Sequence, residues 1–270
     1  MSENLKLEKM GIFDGFTAEE YHAIPAANKS GLDLINQSPA HYIHEKLNPS
    51  GPTPAMEFGS AFHDALLLPT EFTSRYVAAP KFDKRTKEGK AGHEAFSIAN
   101  AGKKLVAPDD LESMKGMAEA IKSHPEASKY LSAGTSELSC FWKDAEFDVL
   151  CKARPDLLLE GGIIVDIKTT NDASFKEFQK SIANFRYHVQ AAWYLDGVSR
   201  HHAADSFVFI AVEKKPPYAV AVYMLDEASI EKGREVYRQD LATYAECLKN
   251  NKWPAYSSEL QVMNLPAWSW

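Results

Sequence analysis

The segment Arg154–Lys168 reads RPDLLLEGGIIVDIK and consists of two apolar runs joined by Glu-Gly-Gly at positions 160–162. Short apolar runs separated by turn-forming residues predict a β-hairpin. In the second run, Asp166 and Lys168 are two positions apart, and alternate residues of a strand point to the same face. Two charges on one face of an apolar strand are costly to bury unless they are paired or bind a metal ion. The hairpin therefore predicts a functional site on its second strand.

The length of the hairpin loop decides whether the two aspartates can cooperate. A two-residue Gly-Gly turn would pair Asp156 with Ile167 and direct the two aspartates to opposite faces. A three-residue loop over 160–162 would instead pair Asp156 with Asp166 on one face. Such loops favour a left-handed residue at their end, which Gly162 supplies. We predict the second register, or an equivalent bulge.

Two convergent carboxylates offer the hard oxygen ligands that Mg²⁺ prefers, and Mn²⁺ could substitute for Mg²⁺. A divalent cation can stabilise the charge that develops when a phosphodiester is attacked. An ammonium beside it, here Lys168, could orient or help to deprotonate the nucleophile and screen the phosphate. We also assign Ile167 to the metal site. His63, on an upstream helix, is predicted to add an imidazole ligand.

A second pair of polar residues lies downstream in the sequence Gln-Ala-Ala-Trp-Tyr. Gln190 and Tyr194 are four positions apart and therefore share one face of a predicted helix. An amide and a phenol can position other groups, so we expect both to support the site around Lys168. Arg186, just upstream, is a candidate for a phosphate contact.

The order of predicted elements indicates an α/β (α+β) fold with a mixed central β-sheet flanked by helices. We expect one compact domain over 1–270, with helices in about 1–130, an α/β core in about 135–250 and a tail over 251–270. Helices are predicted from position 28, interrupted at Ser38-Pro39, over 55–68 and over 91–130, with a loop over 75–90. In the core we expect, in chain order, strands over 135–143, 148–159 and 163–169, a helix over 175–196 closed by Gly197, strands over 206–213 and 218–225, and a helix over 227–249.

Composition constrains the protein's surroundings and partners. The formal net charge is −7, which argues against binding to phosphate unless basic residues are gathered locally. They are gathered over 81–90, where five basic residues accompany two acidic ones. The three cysteines are far apart and predict neither a disulfide framework nor a zinc site, which suits a reducing cytoplasm. We find no signal peptide and no apolar run of membrane-spanning length, and expect a soluble cytoplasmic protein.

These segments together resemble a known family. Arg154-Pro-Asp156 followed by Asp166-Ile-Lys168 is similar to the PD-(D/E)xK nuclease signature, Gln190 and Tyr194 resemble the QxxxY motif of its RecB-like branch, and His63 in Phe-Gly-Ser-Ala-Phe-His resembles that branch's histidine motif. Further segments resemble the nuclease domain of RecE-type exonucleases, also called exonuclease VIII: Asn28-Lys-Ser-Gly-Leu-Asp, Ser38-Pro-Ala-His-Tyr, Lys84-Arg-Thr, Arg186-Tyr-His-Val-Gln and Trp253-Pro-Ala. The resemblance extends from about Tyr21 to Trp268.

The resemblance implies an ATP-independent enzyme that degrades linear double-stranded DNA from its 5′ ends. It would leave 3′ single-stranded tails for a RecT-type annealing protein, and it would assemble as a toroidal homotetramer. By the same resemblance His63, Asp156 and Asp166 bind metal, Lys168 is catalytic, and Gln190 and Tyr194 support the site. Glu137 matches an acidic residue near the start of the first core strand. Lys84, Arg85 and Lys87 are candidates for DNA contact.

Two alternatives share the same residues. A PD-(D/E)xK endonuclease would have the same metal site but would cut closed circular DNA internally. A catalytically idle DNA-binding scaffold would keep the fold but lose a ligand, and the joint presence of Asp156, Asp166 and Lys168 argues against it.

Overall fold

The computed structural model describes residues 10–266. Its first half is mainly helical, with short strands between helices. These elements are β1 (Gly11–Phe13), α1 (Ala18–Ala23), α2 (Lys29–Gln37), α3 (Pro39–Leu47), α4 (Pro54–Leu67), α5 (Pro69–Arg75), β2 (Tyr76–Ala78), α6 (Lys87–Ala99), β3 (Lys104–Val106), α7 (Pro108–Ser123) and α8 (Ala127–Ala133).

Local capping explains several of these boundaries. The side chain of Asn28 accepts a hydrogen bond from the Gly31 N–H and begins α2. Ser38 has an extended backbone and caps α3, in which Pro39 occupies the first turn. The predicted interruption at Ser38-Pro39 and the predicted helix over 55–68, which is α4, are both confirmed.

Two expectations for this half are wrong. The predicted loop over 75–90 contains β2 and the start of α6, and the predicted helical stretch over 91–130 contains β3. β2 and β3 pair in parallel, with Tyr76 opposite Lys104. Strands of three residues are too short to show a period, and their pairing depends on a partner that is distant in the sequence.

The second half forms the core. Its elements are β4 (Gly134–Ser136), β5 (Ser139–Asp144), β6 (Val149–Ala153), β7 (Leu157–Leu159), β8 (Ile163–Thr170), α9 (Phe175–Asn184), α10 (Tyr187–Val198), β9 (Ser206–Glu213), β10 (Val220–Met224) and α11 (Glu227–Asn250). The central sheet has the strand order β10-β9-β8-β7-β4. Within it, β8 and β9 are parallel, and every other neighbouring pair is antiparallel. The predicted mixed sheet is confirmed.

A second sheet, of order β1-β5-β6, was not expected. The predicted strands over 135–143 and 148–159 are each divided between the two sheets. The first changes sheet at residues 137–138, and the second changes sheet at residues 154–156. The two crossing points are adjacent, because the Glu137 N–H donates to the Asp156 carbonyl over 3.0 Å.

The predicted single helix over 175–196 is also wrong, because it breaks between α9 and α10. Arg186 lies at the break with φ 55°, in the left-handed region. Gly197, expected to close the helix, lies inside α10 next to Trp142, where a Cβ atom would come within 2.5 Å of the indole ring.

Helices cover both faces of the central sheet, so alternate residues of β8 enter different cores. Ile164 packs with α9, α10 and α11 through residues such as Phe178 and Trp193. Val165 and Ile167 pack on the other face with α4 and α7 through residues such as Phe62 and Met117. Asp166 and Lys168 thus lie on the α10 side, as the alternation predicts. Among residues 10–266, no helix combines the length and apolar character needed to cross a bilayer.

Candidate active site

The β7–β8 hairpin has the register that brings the two aspartates together. Leu157 pairs with Val165 and Leu158 with Ile164, which leaves residues 160–162 as the loop. Gly162 has φ +81°, and its N–H donates to the Leu159 carbonyl over 3.0 Å. The predicted three-residue loop is confirmed. Continuing the register by one residue places Asp156 beside Asp166.

Asp156 is fixed by bonds to both neighbouring elements. Its Oδ2 accepts a hydrogen bond from the Ile167 N–H over 2.6 Å. Its Oδ1 lies 3.2 Å from Nδ1 of His63, which projects from α4. The carboxylate therefore has one orientation relative to β8, and α4 is tied to the end of β7.

His63 lies between two acceptors. Besides the Asp156 contact, its Nε2 lies 2.9 Å from the carbonyl oxygen of Ile167. Because both ring nitrogens face acceptors, the arrangement favours the doubly protonated imidazolium. Burial alone would lower the pKa of His63, but the Asp156 carboxylate outweighs it and raises the pKa to about 9. The same imidazolium outweighs burial at Asp156 and holds the pKa of that carboxyl below its ordinary value.

Glu137 lies at the crossing from β4 to β5 with φ 56°, a strained conformation for a glutamate. Its Oε2 forms an ion pair with Nε of Arg154 at 2.6 Å. Burial, together with the nearby Asp156 carboxylate, raises the pKa of Glu137 to about 7. Strain of this kind concentrates at functional sites, and here the Glu137 carboxylate lies near both Asp156 and His63.

The donor set fits a divalent cation. One ligand atom each from His63, Glu137 and Asp156 can be chosen so that all lie within 4.8 Å of one another. Two carboxylates and an imidazole match the preferences of Mn²⁺ and, through their oxygens, of Mg²⁺. The Ile167 carbonyl, at 2.9 Å from His63, adds an oxygen at the edge of this group. Since the imidazolium holds a positive charge among these acceptors, a cation would replace its proton.

Asp166, Lys168 and Gln190 form a second, adjoining cluster. Nζ of Lys168 lies 2.5 Å from Oδ1 of Asp166 and donates to Oε1 of Gln190 over 3.0 Å. The Gln190 amide nitrogen donates to the other oxygen of Asp166 over 2.5 Å. Both oxygens of Asp166 are thus engaged, and its role as a metal ligand stays a prediction. Burial raises the pKa of Asp166, and Lys168 opposes part of that rise.

Lys168 is held as an ammonium. Burial alone would lower its pKa, but Asp166 outweighs it, so the pKa lies above the ordinary lysine value. Its Nζ also lies 4.5 Å from the centroid of the Tyr187 ring, a cation–π contact. A fixed, protonated amine is suited to donating hydrogen bonds and to balancing negative charge.

The predicted helix face of Gln190 and Tyr194 is also at the site. Both residues lie on α10, and the Tyr194 phenol interacts with the side chain of Gln190. Burial, followed by the charges of its surroundings, raises the pKa of Tyr194. Tyr194 therefore remains a phenol at neutral pH and can take part in hydrogen bonding with Gln190.

None of the four predicted DNA contacts belongs to the two clusters formed by the described residues. Lys84, Arg85 and Lys87 are exposed at the start of α6, and Arg85 pairs with Asp83 through Nε at 2.9 Å. Arg186 is largely buried and pairs with Asp33 and Asp240. A phosphate would have to compete with these two carboxylates for Arg186. All four DNA contacts stay predictions.

Two neighbours of the site had no assigned role in the sequence. Arg154 pairs with Glu137, and its Nη2 donates to the Phe16 carbonyl over 3.0 Å, which ties the amino-terminal segment to the site. Tyr187 supports Lys168. The arginine before Pro155-Asp156 was visible as part of the motif, but the contact made by Tyr187 depends on the break before α10.

The sequence also matches a known protein family. Residues 29–266 match the model of a family described as a PDDEXK-like domain of unknown function (DUF3799). The chain belongs to this family. Membership of this family places the chain in the PD-(D/E)xK superfamily, as predicted from the motif in the hairpin. None of the curated proteins matches its sequence.

One solved structure supports the fold. A candidate exonuclease from Eubacterium rectale matches with a TM-score of 0.64 at 14% identity, covering 94% of this chain and 96% of that one. An alkaline exonuclease from Laribacter hongkongensis matches with a TM-score of 0.32 at 14% identity, covering 87% and 97%. The match to the Eubacterium rectale structure supports this fold over nearly the whole length of the chain.

Proposed function

We propose that the protein is a Mg²⁺-dependent, ATP-independent 5′-to-3′ exodeoxyribonuclease that acts on linear double-stranded DNA and leaves 3′ single-stranded tails for recombination by strand annealing. The observation that carries the proposal is the junction of two clusters along one hairpin. His63, Glu137 and Asp156 converge on one side, and Lys168 is held between Asp166 and Gln190 on the other.

In this proposal His63, Glu137 and Asp156 hold the cation, Asp166 and the Ile167 carbonyl complete its ligands, and Mn²⁺ can replace Mg²⁺. Bound there, the cation supplies positive charge beside the phosphate under attack. Asp156 keeps its place because its Oδ2 is bonded to the main chain of β8. The site is therefore organised before substrate arrives, which reduces the reorganisation that catalysis needs.

Lys168 acts on the phosphate and on the attacking water. As an ammonium with a raised pKa, it donates hydrogen bonds and balances charge on the phosphate, and it orients the attacking water by the same means. Gln190 positions Lys168 by accepting from its Nζ and positions Asp166 by donating to it. Tyr194 interacts with Gln190 and steadies the pair from α10.

The polarity and the partners of the proposal rest on the resemblance to RecE-type exonucleases. We include DNA ends as the substrate, a RecT-type single-strand annealing protein as the functional partner, a toroidal homotetramer as the assembly and the cytoplasm as the location. The Eubacterium rectale structure, which is described as a candidate exonuclease and matches over nearly its whole length, supports an exonuclease within this proposal.

The test compares linear and closed circular duplexes incubated with Mg²⁺, with 5′ and 3′ end labels followed over time. We expect release of mononucleotides from linear DNA alone, with loss beginning on the 5′-ended strand and no requirement for ATP. Defined fragments from closed circles would indicate an endonuclease. DNA binding without cleavage in Mg²⁺ or Mn²⁺ would indicate an idle scaffold, and either result would overturn the proposal.

A further inference from the structure

An open groove with a volume of about 290 Å³ adjoins the site at Lys168. The end of β8, α9 and the first residue of α10 line it, and Phe185, Tyr187 and Lys214 are among its lining residues. We propose that this groove binds the nucleotide next to the scissile phosphate, with the base stacked on Phe185 and the backbone phosphate near Lys214. This inference rests on the proposed nuclease function and extends it to a substrate subsite.

Phe185 presents an aromatic ring to solvent beside the catalytic amine. The residue is 59% exposed although it is large and apolar. Its ring centroid lies 5.6 Å from that of Tyr187, whose ring in turn lies 4.5 Å from Nζ of Lys168. The Tyr187 ring therefore lies between the exposed Phe185 ring and the ammonium of Lys168. These distances suit a base stacked on Phe185 with the scissile phosphate at Lys168.

The backbone of Phe185 is anchored on both sides. Its N–H donates to the Ser181 carbonyl over 2.9 Å at the end of α9. Its carbonyl accepts from Nζ of Lys29 over 2.8 Å. The ring therefore projects from a fixed point of the chain, and a platform that is ordered in advance binds a base at a lower entropic cost.

The charges of the groove suit a phosphate. Asp172 accepts a hydrogen bond from the Ser174 N–H, and Glu177 pairs with Lys180 at 2.6 Å. Lys214, in contrast, forms no ion pair with any residue in the range 10–266. Three lysines, Lys168, Lys180 and Lys214, line the groove together with these two acids, so its lining carries one net positive charge. An aromatic ring beside an ammonium is the combination that single-stranded nucleic acid uses for stacking and backbone contact.

The experiment measures equilibrium binding, in EDTA, of a fluorescein-labelled linear duplex with a single-stranded tail. Phe185→Ala and Phe185→Leu should weaken binding by roughly 5- to 150-fold, the range measured for one stacked base, and Phe185→Trp should restore it. Phe175→Ala is the matched control, because Phe175 begins α9, the helix that Phe185 caps, and is 68% exposed but does not line the groove. It should bind within about twofold of wild type.

The phosphate contact has its own readout. Lys214→Gln should reduce the slope of log K against log salt by about one unit, as expected for one lost phosphate contact. Lys249→Gln, on the far end of α11, should leave the slope unchanged. Circular dichroism melting of every variant identifies any loss of binding that is caused by unfolding. If Phe185→Trp keeps the binding that Phe185→Leu loses, the contribution of Phe185 is aromatic stacking rather than apolar packing.

Measuring cleavage by the wild type in parallel distinguishes failure of the proposed function from failure of this inference alone. If wild type neither cleaves nor binds DNA, the proposed function and this inference are both overturned. If wild type cleaves DNA and the Phe185 and Lys214 variants bind like their controls, the groove is not a substrate subsite, and the proposed function stands.

Discussion

Oδ2 of Asp156 lies 2.6 Å from the backbone nitrogen of Ile167, so the Asp156 carboxylate is bonded to the main chain between Asp166 and Lys168. This bond crosses the hairpin at the end of β7. It holds the Asp156 carboxylate in place relative to the backbone that carries Asp166 and Lys168.

The imidazolium of His63 should stabilise the metal-free protein in a pH-dependent way. Its pKa in the folded state, about 9, exceeds the ordinary value of 6.5, so the folded state binds the proton more tightly. The stabilisation is complete below pH 6.5 and is lost as pH rises through about 9. In EDTA, the difference in urea midpoint between wild type and His63→Gln should therefore shrink between pH 6 and pH 10.

Glu137 must be controlled in that measurement, because burial raises its pKa to about 7 and it titrates in the same window. Both proteins should carry Glu137→Gln, which leaves His63 as the group that differs. A difference that grows with pH would show that the imidazole is neutral in the folded state.

Gln190 is predicted to position Lys168 and Asp166 without contacting substrate. Gln190→Ala removes a bond to each of them, and loss of such a supporting bond typically costs about 10- to 100-fold in activity. We expect the loss in kcat, measured under single-turnover conditions with saturating enzyme, while the Kd for DNA stays within about threefold. A weaker Kd with an unchanged kcat would place Gln190 in DNA binding instead.

Arg186 is predicted to be a structural anchor between α9 and α10. Arg186→Gln leaves Asp240, which is buried on α11, without its ion pair, and we expect a loss of about 3 kcal/mol or more in the free energy of unfolding. Adding Asp240→Asn should recover part of that loss, since the unpaired charge is removed. Chemical denaturation of the single and double variants measures both values.

The opposite outcome for Arg186 has a clear meaning. If Arg186→Gln is as stable as wild type but binds DNA less tightly with a shallower salt dependence, the phosphate contact predicted from the sequence is correct.

Two helical glycines should respond to alanine with opposite signs. At Gly197 a Cβ atom would lie 2.5 Å from the Trp142 ring, so Gly197→Ala should destabilise the fold by about 1–3 kcal/mol. At Gly59 in α4 no atom lies within 4 Å of the new Cβ, so Gly59→Ala should stabilise it by roughly 0.5–1 kcal/mol. Thermal unfolding of both variants provides the comparison, and equal effects would contradict the packing at Trp142.

The sequence predicted the hairpin and its register because the determining features are local. Gly162 supplies the left-handed residue, and the alternation of charged and apolar residues in β8 assigns its faces. Asp156, Asp166 and Lys168 could therefore be placed together before any coordinates were known. The contact of His63 with Asp156 could be predicted only from the family resemblance, since 93 residues separate them.

Other features depend on distant partners and left no local signal. The break before α10 occurs at Arg186, a residue with no special preference for the left-handed region, and its ion pairs come from Asp33 and Asp240. The crossing of both core strands between two sheets likewise has no mark in the apolar pattern. It places Glu137 beside Asp156, which is why local sequence alone could not define the role of Glu137.

The central claim is that this hairpin cleaves DNA, and single-turnover cleavage of an end-labelled linear duplex in Mg²⁺ tests it most directly. Asp166→Ala and Lys168→Ala should each lower the rate by about a hundredfold or more, with DNA binding largely retained. Glu160→Ala, an exposed acid in the same hairpin loop, should cleave like wild type. Near-normal rates for the Asp166 or Lys168 variant, under matched metal and salt, would contradict the account.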